Sequence, residues 1–188
     1  MRIISGNFRG KKLFLPSDKL TRPLKDVVKE SIFNLILHSK KFNLVVENSL
    51  ILDLFAGTGS FGIECISRKA KKVIFFENYP EAIKILEKNL NLLKNIDGFE
   101  IYKQDFFNFF LSNRELNAKF DIIFIDPPYK EKNLITLLRD IDVSNILSKN
   151  GIIIIHRHKK EEDEFPKEFQ IIEEKTYGIS RVLFGICA

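Results

Sequence analysis

Between residues 50 and 155, short runs of Ile, Leu, Val and Phe recur, each followed by a segment with helical spacing. The runs are Leu50–Leu54, Lys72–Phe76, Glu100–Lys103, Phe120–Ile125 and Gly151–Ile155. Several lack any polar alternation, as expected of parallel strands covered on both faces. Ser60–Arg68, Pro80–Lys94, Asp105–Asn113 and Asn133–Leu147 read as the intervening helices. In the second of these, Ile83, Leu86, Leu90 and Leu93 fall on one side, and Pro80 suits a first turn. Strand–helix–strand alternation of this kind predicts an open, mostly parallel α/β sheet wound on both sides. The end departs from it: Phe169–Thr176 and Arg181–Ile186 flank Tyr177-Gly178 and read as an antiparallel hairpin.

The first 48 residues precede this pattern and read as an extension to a main domain spanning 49–188. Arg2–Ser5 and Lys11–Leu15 are expected to pair as a small hairpin. Lys25–His38 reads as an amphipathic helix, with Val28, Ile32, Leu35 and Ile36 toward the sheet. Charge is concentrated here. Residues 1–41 hold ten Lys or Arg against three acids, whereas the remainder holds 20 basic and 22 acidic residues. Such a basic head fits either a polyanionic partner or a solvated lysine-rich face. For the first reading the candidate contacts are Arg9, Lys11 and Lys12.

Other function classes are excluded or disfavoured by composition. No apolar run approaches the roughly 20 residues of a membrane span, and the start has no secretory apolar stretch with a cleavage site. Cys65 and Cys187 lie far apart without metal-type spacing, so two reduced thiols, a cytoplasmic location and no metal are expected. A monomer is expected.

The loop LILDLFAGTGSFG (Leu50–Gly62) joins the first strand to the first helix of the sheet. Gly57, Gly59 and Gly62 fit the spacing G-x-G-x-x-G, with Glu77 at the end of the next strand. That pattern admits a dinucleotide. Asp53 argues against one, because a carboxylate at the strand end repels a pyrophosphate. S-adenosylmethionine instead presents an ammonium and a sulfonium. Asp53 suits the ammonium, the amides of Gly57 to Gly59 its carboxylate, and Glu77 the ribose hydroxyls. Asp105 suits the adenine amino group, with Phe106 as a ring contact; Phe55, Thr58 and Asn78 complete the candidate cofactor set. Each acid also has a plainer reading, as a cap or a surface group. Their shared position after consecutive strands, where α/β sheets bind ligands, favours the cofactor. The closing hairpin, by analogy of fold, marks the methyltransferase variant of the Rossmann-like sheet.

FDIIFIDPPYKE (Phe120–Glu131) runs a hydrophobic strand into Asp126-Pro127-Pro128-Tyr129. Two prolines remove two N–H donors, which leaves the Asp126 carboxylate and the Pro127 carbonyl as a nearly pure acceptor pair. An exocyclic amino group is complementary, and its delocalised lone pair needs such acceptors to become nucleophilic. Tyr129 offers a face for stacking an unpaired or flipped base.

With RIISGNFRGKKL, TRPLKDVVKESIFNLI, DLFAGTGSFGIECISRKA, FFEN, DPPY and YGISRVLFG, nearly the whole chain resembles the bacterial guanine-N2 methyltransferases of small-subunit ribosomal RNA. The resemblance implies methyl transfer to N2 of one guanine, ribosomal RNA or a small-subunit assembly as partner, and Arg22 near the cofactor and substrate entrance. The chain departs from that pattern at Ser5, Leu24, Lys29 and His156-Arg157-His158; His156 and His158 are expected at the surface or substrate rim. Adenine-N6 methylation of DNA or RNA is the neighbouring alternative. An NAD-dependent oxidoreductase and a non-catalytic RNA-binding module are the more distant ones.

Overall fold

Among the described residues, seven strands form a single sheet of order β3-β2-β1-β4-β5-β7-β6, in which β7 alone runs opposite to the other six. The computed structural model describes residues 1–17, 23–94, 96–111, 116–128, 131 and 133–187. The strands are β1 (Leu50–Leu54), β2 (Lys72–Phe76), β3 (Phe99–Tyr102), β4 (Phe120–Ile125), β5 (Leu147–His158), β6 (Phe169–Tyr177) and β7 (Ser180–Cys187). The helices are α1 (Asp26–His38), α2 (Ser60–Ser67), α3 (Pro80–Asn91), α4 (Phe106–Leu111) and α5 (Leu134–Val143). This is the expected Rossmann-like sheet, with β7 antiparallel to both β5 and β6.

Uninterrupted apolar runs place alternate residues on opposite faces, so each strand feeds two cores. Ile51, Val73, Phe75, Ile122, Phe124, Ile152 and Ile154 pack on one side beneath α1, α2 and α3. Leu52, Ile74, Phe76, Ile123, Ile125, Ile153 and Ile155 pack on the other beneath α4 and α5. No helix among the described residues is long and apolar enough to cross a membrane.

Several boundaries differ from the sequence reading. The fifth strand extends beyond Gly151–Ile155 at both ends: Leu147 pairs with Phe120 of β4, and β7 pairs with the other end as far as His158. The expected N-terminal hairpin is reduced to one bridge, Arg2 to Lys12. The amides that a longer ladder would use are taken by side chains of the main domain. Ile4 N and Ser5 N donate to Glu64 of α2 at 2.7 and 2.9 Å, and Phe14 N donates to Asn89 Oδ1 of α3 at 2.7 Å.

Glu64 is fully buried and also receives Arg68 Nε at 2.9 Å, with the fully buried Lys29 ammonium 3.7 Å away. Lys29 itself donates to the Arg2 carbonyl at 2.7 Å. Burial pulls the Lys29 ammonium below its ordinary value, against the upward pull of Glu64 and Asp26. A buried charge stripped of its partner is strongly destabilising. Glu64→Ala should therefore lower unfolding free energy by about 3–5 kcal/mol, read as a reduced urea midpoint, with Glu64→Gln losing less because it still accepts hydrogen bonds.

Candidate active site

Because β1 lies between β2 and β4, the chain reverses its winding there, and a crevice opens at the carboxyl ends of these strands. Leu54 pairs with Phe76 on one side and Ile125 on the other, and Ile125 pairs with Ile155. The residues that follow these strand ends therefore reach one edge together. A cavity of about 450 Å³ occupies that edge.

Asp53, Phe55, Gly57, Thr58, Glu77 and Asn78 all line it. So do Asp126, Pro127 and Pro128, which brings the acceptor corner and the glycine loop to one space. Asp53 is almost wholly buried, and its Oδ2 receives the Gly62 amide at 2.9 Å. Burial holds this carboxyl well above the usual range; the Gly62 hydrogen bond opposes the shift, and the charges of Asp126 and Glu77 add to it. Glu77 Oε2 receives Gly57 N–H at 2.6 Å, while Oε1 receives Asn78 N–H and Tyr79 N–H at 3.0 and 2.8 Å. This capping turn fixes the carboxylate where β2 leads into α3.

The loop is shaped by backbone freedom at a few points. Gly59 adopts φ 78° as the residue preceding α2, a conformation that glycine enters without steric cost. A Cβ on Gly62 would lie 2.2 Å from Phe75 Cε1, so only glycine lets α2 approach the sheet here. Phe55 takes φ 58°, a left-handed conformation in which a bulky residue is strained.

Parts of the expected cofactor set are arranged differently. The Gly57 amide is taken by Glu77, and that of Gly59 by the Ala56 carbonyl at 2.8 Å. Neither is left to receive a ligand carboxylate, as the sequence reading expected. Asp105 lies outside the cavity wall: it caps α4 by accepting Phe107 N–H at 2.8 Å and also accepts from Asn78 Nδ2 at 3.2 Å. Phe106 turns inward, its ring edge-on to Phe76 at 5.0 Å, because the first turn of α4 buries its apolar side on β2. It is thus a core residue rather than an open ring face. Tyr129 and Arg22 lie outside the described residues. Arg9, Lys11 and Lys12 are exposed, away from the cavity wall, and Lys11 Nζ sits 5.2 Å from the Phe8 ring centre.

Two residues of β5 emerge here with roles that their sequence context did not suggest. His156, expected at the surface or substrate rim, is half-buried in the cavity wall, and its Nδ1 lies 2.8 Å from Asp126 Oδ1. Arg157 is almost wholly buried and ion-paired with Asp163 at 2.8 Å. Its guanidinium also donates to the Pro128 carbonyl at 3.4 Å and the Glu131 carbonyl at 3.2 Å, tying the segment after Asp126 to β5. Aligning IIFID with IIIIH as parallel neighbours would have placed His156 beside Asp126. Ile179, from the β6–β7 turn, and Ser180, which opens β7, close another side of the cavity.

The model of the family described as "Conserved hypothetical protein 95" matches residues 1–186. The chain belongs to that family. "Ribosomal RNA small subunit methyltransferase D" of Haemophilus influenzae is 35% identical over 183 residues, covering 95% of this chain and 90% of that protein. "Putative rRNA methyltransferase YlbH" of Bacillus subtilis is 35% identical over 183 residues, covering 97% and 96%. Among solved structures, "Putative methyltransferase yhhF" from Escherichia coli superposes with a TM-score of 0.82 at 25% identity, covering 98% of this chain and 96% of that one. The methyltransferase family to which the motifs pointed is thereby established, together with its fold.

Arg157 generates a prediction of its own. Arg157→Lys cannot grip Asp163 and two carbonyls at once. The Glu131 amide, which donates to the Pro128 carbonyl at 2.9 Å, should then exchange with deuterium at least about tenfold faster, a change corresponding to roughly 1.4 kcal/mol of lost local protection.

Proposed function

We propose that the chain transfers a methyl group from S-adenosylmethionine to the exocyclic N2 of a guanine in small-subunit ribosomal RNA. The observation that carries this reading is the single cavity shared by the acids Asp53 and Glu77 and by the Asp126-Pro127-Pro128 corner. The wall suits a cationic cofactor. Three carboxyl groups crowd one crevice, one of them buried enough to resist ionisation, and a nearby positive charge relieves both penalties. A pyrophosphate would aggravate them.

In this reading Asp53 attracts the cofactor ammonium, and Glu77, already fixed by three backbone amides, accepts from ribose hydroxyls with its remaining lone pairs. When bound, S-adenosylmethionine supplies a methyl carbon on a positively charged sulfur that departs as a neutral thioether. Asp126 and the Pro127 carbonyl accept from the two hydrogens of the target amino group. They hold its nitrogen lone pair toward the cofactor side of the cavity and stabilise the positive charge that grows there, and Asp126, already accepting from that nitrogen, takes the proton it then gives up. Arg157 keeps the Pro128 end of the corner from moving during this step. Arg9, Lys11 and Lys12, exposed on the 1–48 segment, contact RNA phosphates.

The names of the relatives support ribosomal RNA as the substrate class. The guanine N2 assignment rests on the resemblance of the N-terminal elements. It is tested by incubating the protein with labelled cofactor and small ribosomal subunits lacking the modification, then identifying the methylated nucleoside. N2-methylguanosine is expected; N6-methyladenosine alone would refute the assignment. Asp126→Ala should reduce turnover at least about a hundredfold, as loss of a preorganised acceptor does, with cofactor affinity changed little.

Two further outcomes follow from the charges. Because Asp53 is held above the usual carboxylate range, the ion that attracts an ammonium is lost progressively as pH falls through that raised value. Cofactor affinity should fall with it, and binding below that value should release protons, measurable by calorimetry in buffers of different ionisation enthalpy. Replacing Arg9, Lys11 and Lys12 by Ala should flatten log affinity for RNA against log salt by roughly 0.7–0.9 for each phosphate no longer neutralised; an unchanged slope assigns the strip to solvent.

A further inference from the structure

His156 stands beside Asp126 because β4 and β5 run parallel with Ile125 opposite Ile155. Its Nδ1 is 2.8 Å from Asp126 Oδ1. An ionised carboxylate can only accept, so Nδ1 carries the proton in both the neutral and the charged ring. The difference falls on Nε2, a buried atom with no hydrogen-bond partner among the described residues. In the neutral ring it is a bare lone pair; in the charged ring it is a buried donor that no described residue accepts from, a cost that opposes the pull of Asp126 toward protonation.

One oxygen of Asp126 is thus pinned by the imidazole, in the wall of the cavity both residues line. We propose that His156 is a positioning residue for amino-group methylation: neutral, it aims Asp126 at the target nitrogen, and protonated, it suppresses the reaction. This rests on Asp126 accepting from the target amino group. The suppression is electrostatic. Positive charge develops on the nitrogen as the methyl group arrives, and an imidazolium on Asp126 offsets the negative charge that should stabilise it.

The surroundings define the charge balance. Asp126 at the end of β4 faces the ring, and Arg157 follows it on β5 with its charge matched by Asp163. β7 presents Val182 opposite; Asp53, Glu77 and Lys25 share the cavity wall from β1, the end of β2 and the start of α1. Burial lowers the His156 pKa, but the charge of Asp126 and its hydrogen bond outweigh burial, against a smaller push from Arg157, and hold it above its ordinary value. Activity is therefore gained as pH rises through that raised value.

Two measurements test this. Titration of the His156 ring by NMR needs no substrate: its pKa should be above that of an ordinary histidine and should fall in Asp126→Asn. An unchanged titration overturns the coupling. The second is kcat against pH on small ribosomal subunits. In the wild type its acid limb should follow the His156 titration. His156→Asn carries an amide nitrogen near the place of Nδ1 but does not titrate, so it should keep about a third or more of the plateau kcat and lose the limb. His156→Phe should lower kcat roughly 10- to 100-fold with the cofactor KM within about threefold. A limb retained in His156→Asn, or wild-type kcat in His156→Phe, overturns the proposal alone. If the wild type methylates no amino group on any acceptor, the proposed function falls and this inference falls with it.

Discussion

Parallel strands that end in register deliver their next residues to one place, and this chain puts acids there. β1, β2 and β4 finish together and β5 runs alongside, so Asp53, Glu77, Asp126 and His156 gather around one crevice. Negative groups brought so close oppose one another. The chain tolerates them by giving each a donor: the Gly62 amide for Asp53, three amides for Glu77, and an imidazole for Asp126. None of these donors among the described residues brings a fixed full positive charge. The one cation named in the wall, Lys25, makes none of these hydrogen bonds, and Gly59 and Gly62 let the glycine loop and α2 pack closely beside the acids.

The sheet was legible because its apolar runs are long enough to leave no doubt about burial on both faces, and because the hairpin at Tyr177-Gly178 carries its own turn chemistry. The acids at the strand ends were legible for the same reason: position after an apolar run fixes position at the edge. What could not be read were matters of side-chain competition. Nothing in Arg2–Leu15 announces that Glu64 and Asn89, from helices far along the chain, take the amides a hairpin would use. Phe106 sits next to an acid in sequence but obeys the burial demand of α4. The amides of Gly57 and Gly59 fit a ligand in a motif; in the folded loop nearby acceptors satisfy them first. His156 reads as surface or substrate rim, whereas pairing with β7 carries β5 onward and sets it in the cavity wall, with Arg157 buried beside it.

The N-terminal segment is bound to the sheet by unusual means. Ile3, Leu13, Leu24 and the apolar side of α1 share the core with Ile51 and Phe61. Between them lies a buried ionic group of Lys29, Glu64 and Arg68. Such a group yields little net stability against an apolar replacement. Its effect is directional: Glu64 can satisfy Ile4 and Ser5 only if the segment docks in one way.

Helix α2 gives that docking a second meaning. Its first turn starts at the glycine loop, where Gly62 reaches Asp53. Its last turn holds the N-terminal segment, where Phe8 N–H donates to Ser67 Oγ at 3.0 Å and Asn7 N–H to the Ser67 carbonyl at 2.8 Å. Eight helical residues span about 12 Å, and a helix of that length does not stretch. The basic strip beginning at Arg9 and the pocket floor at Asp53 are therefore mounted on opposite ends of one rigid spacer. In the proposed function it is a ruler, setting how far from a bound polyanion's backbone the reacting centre must lie.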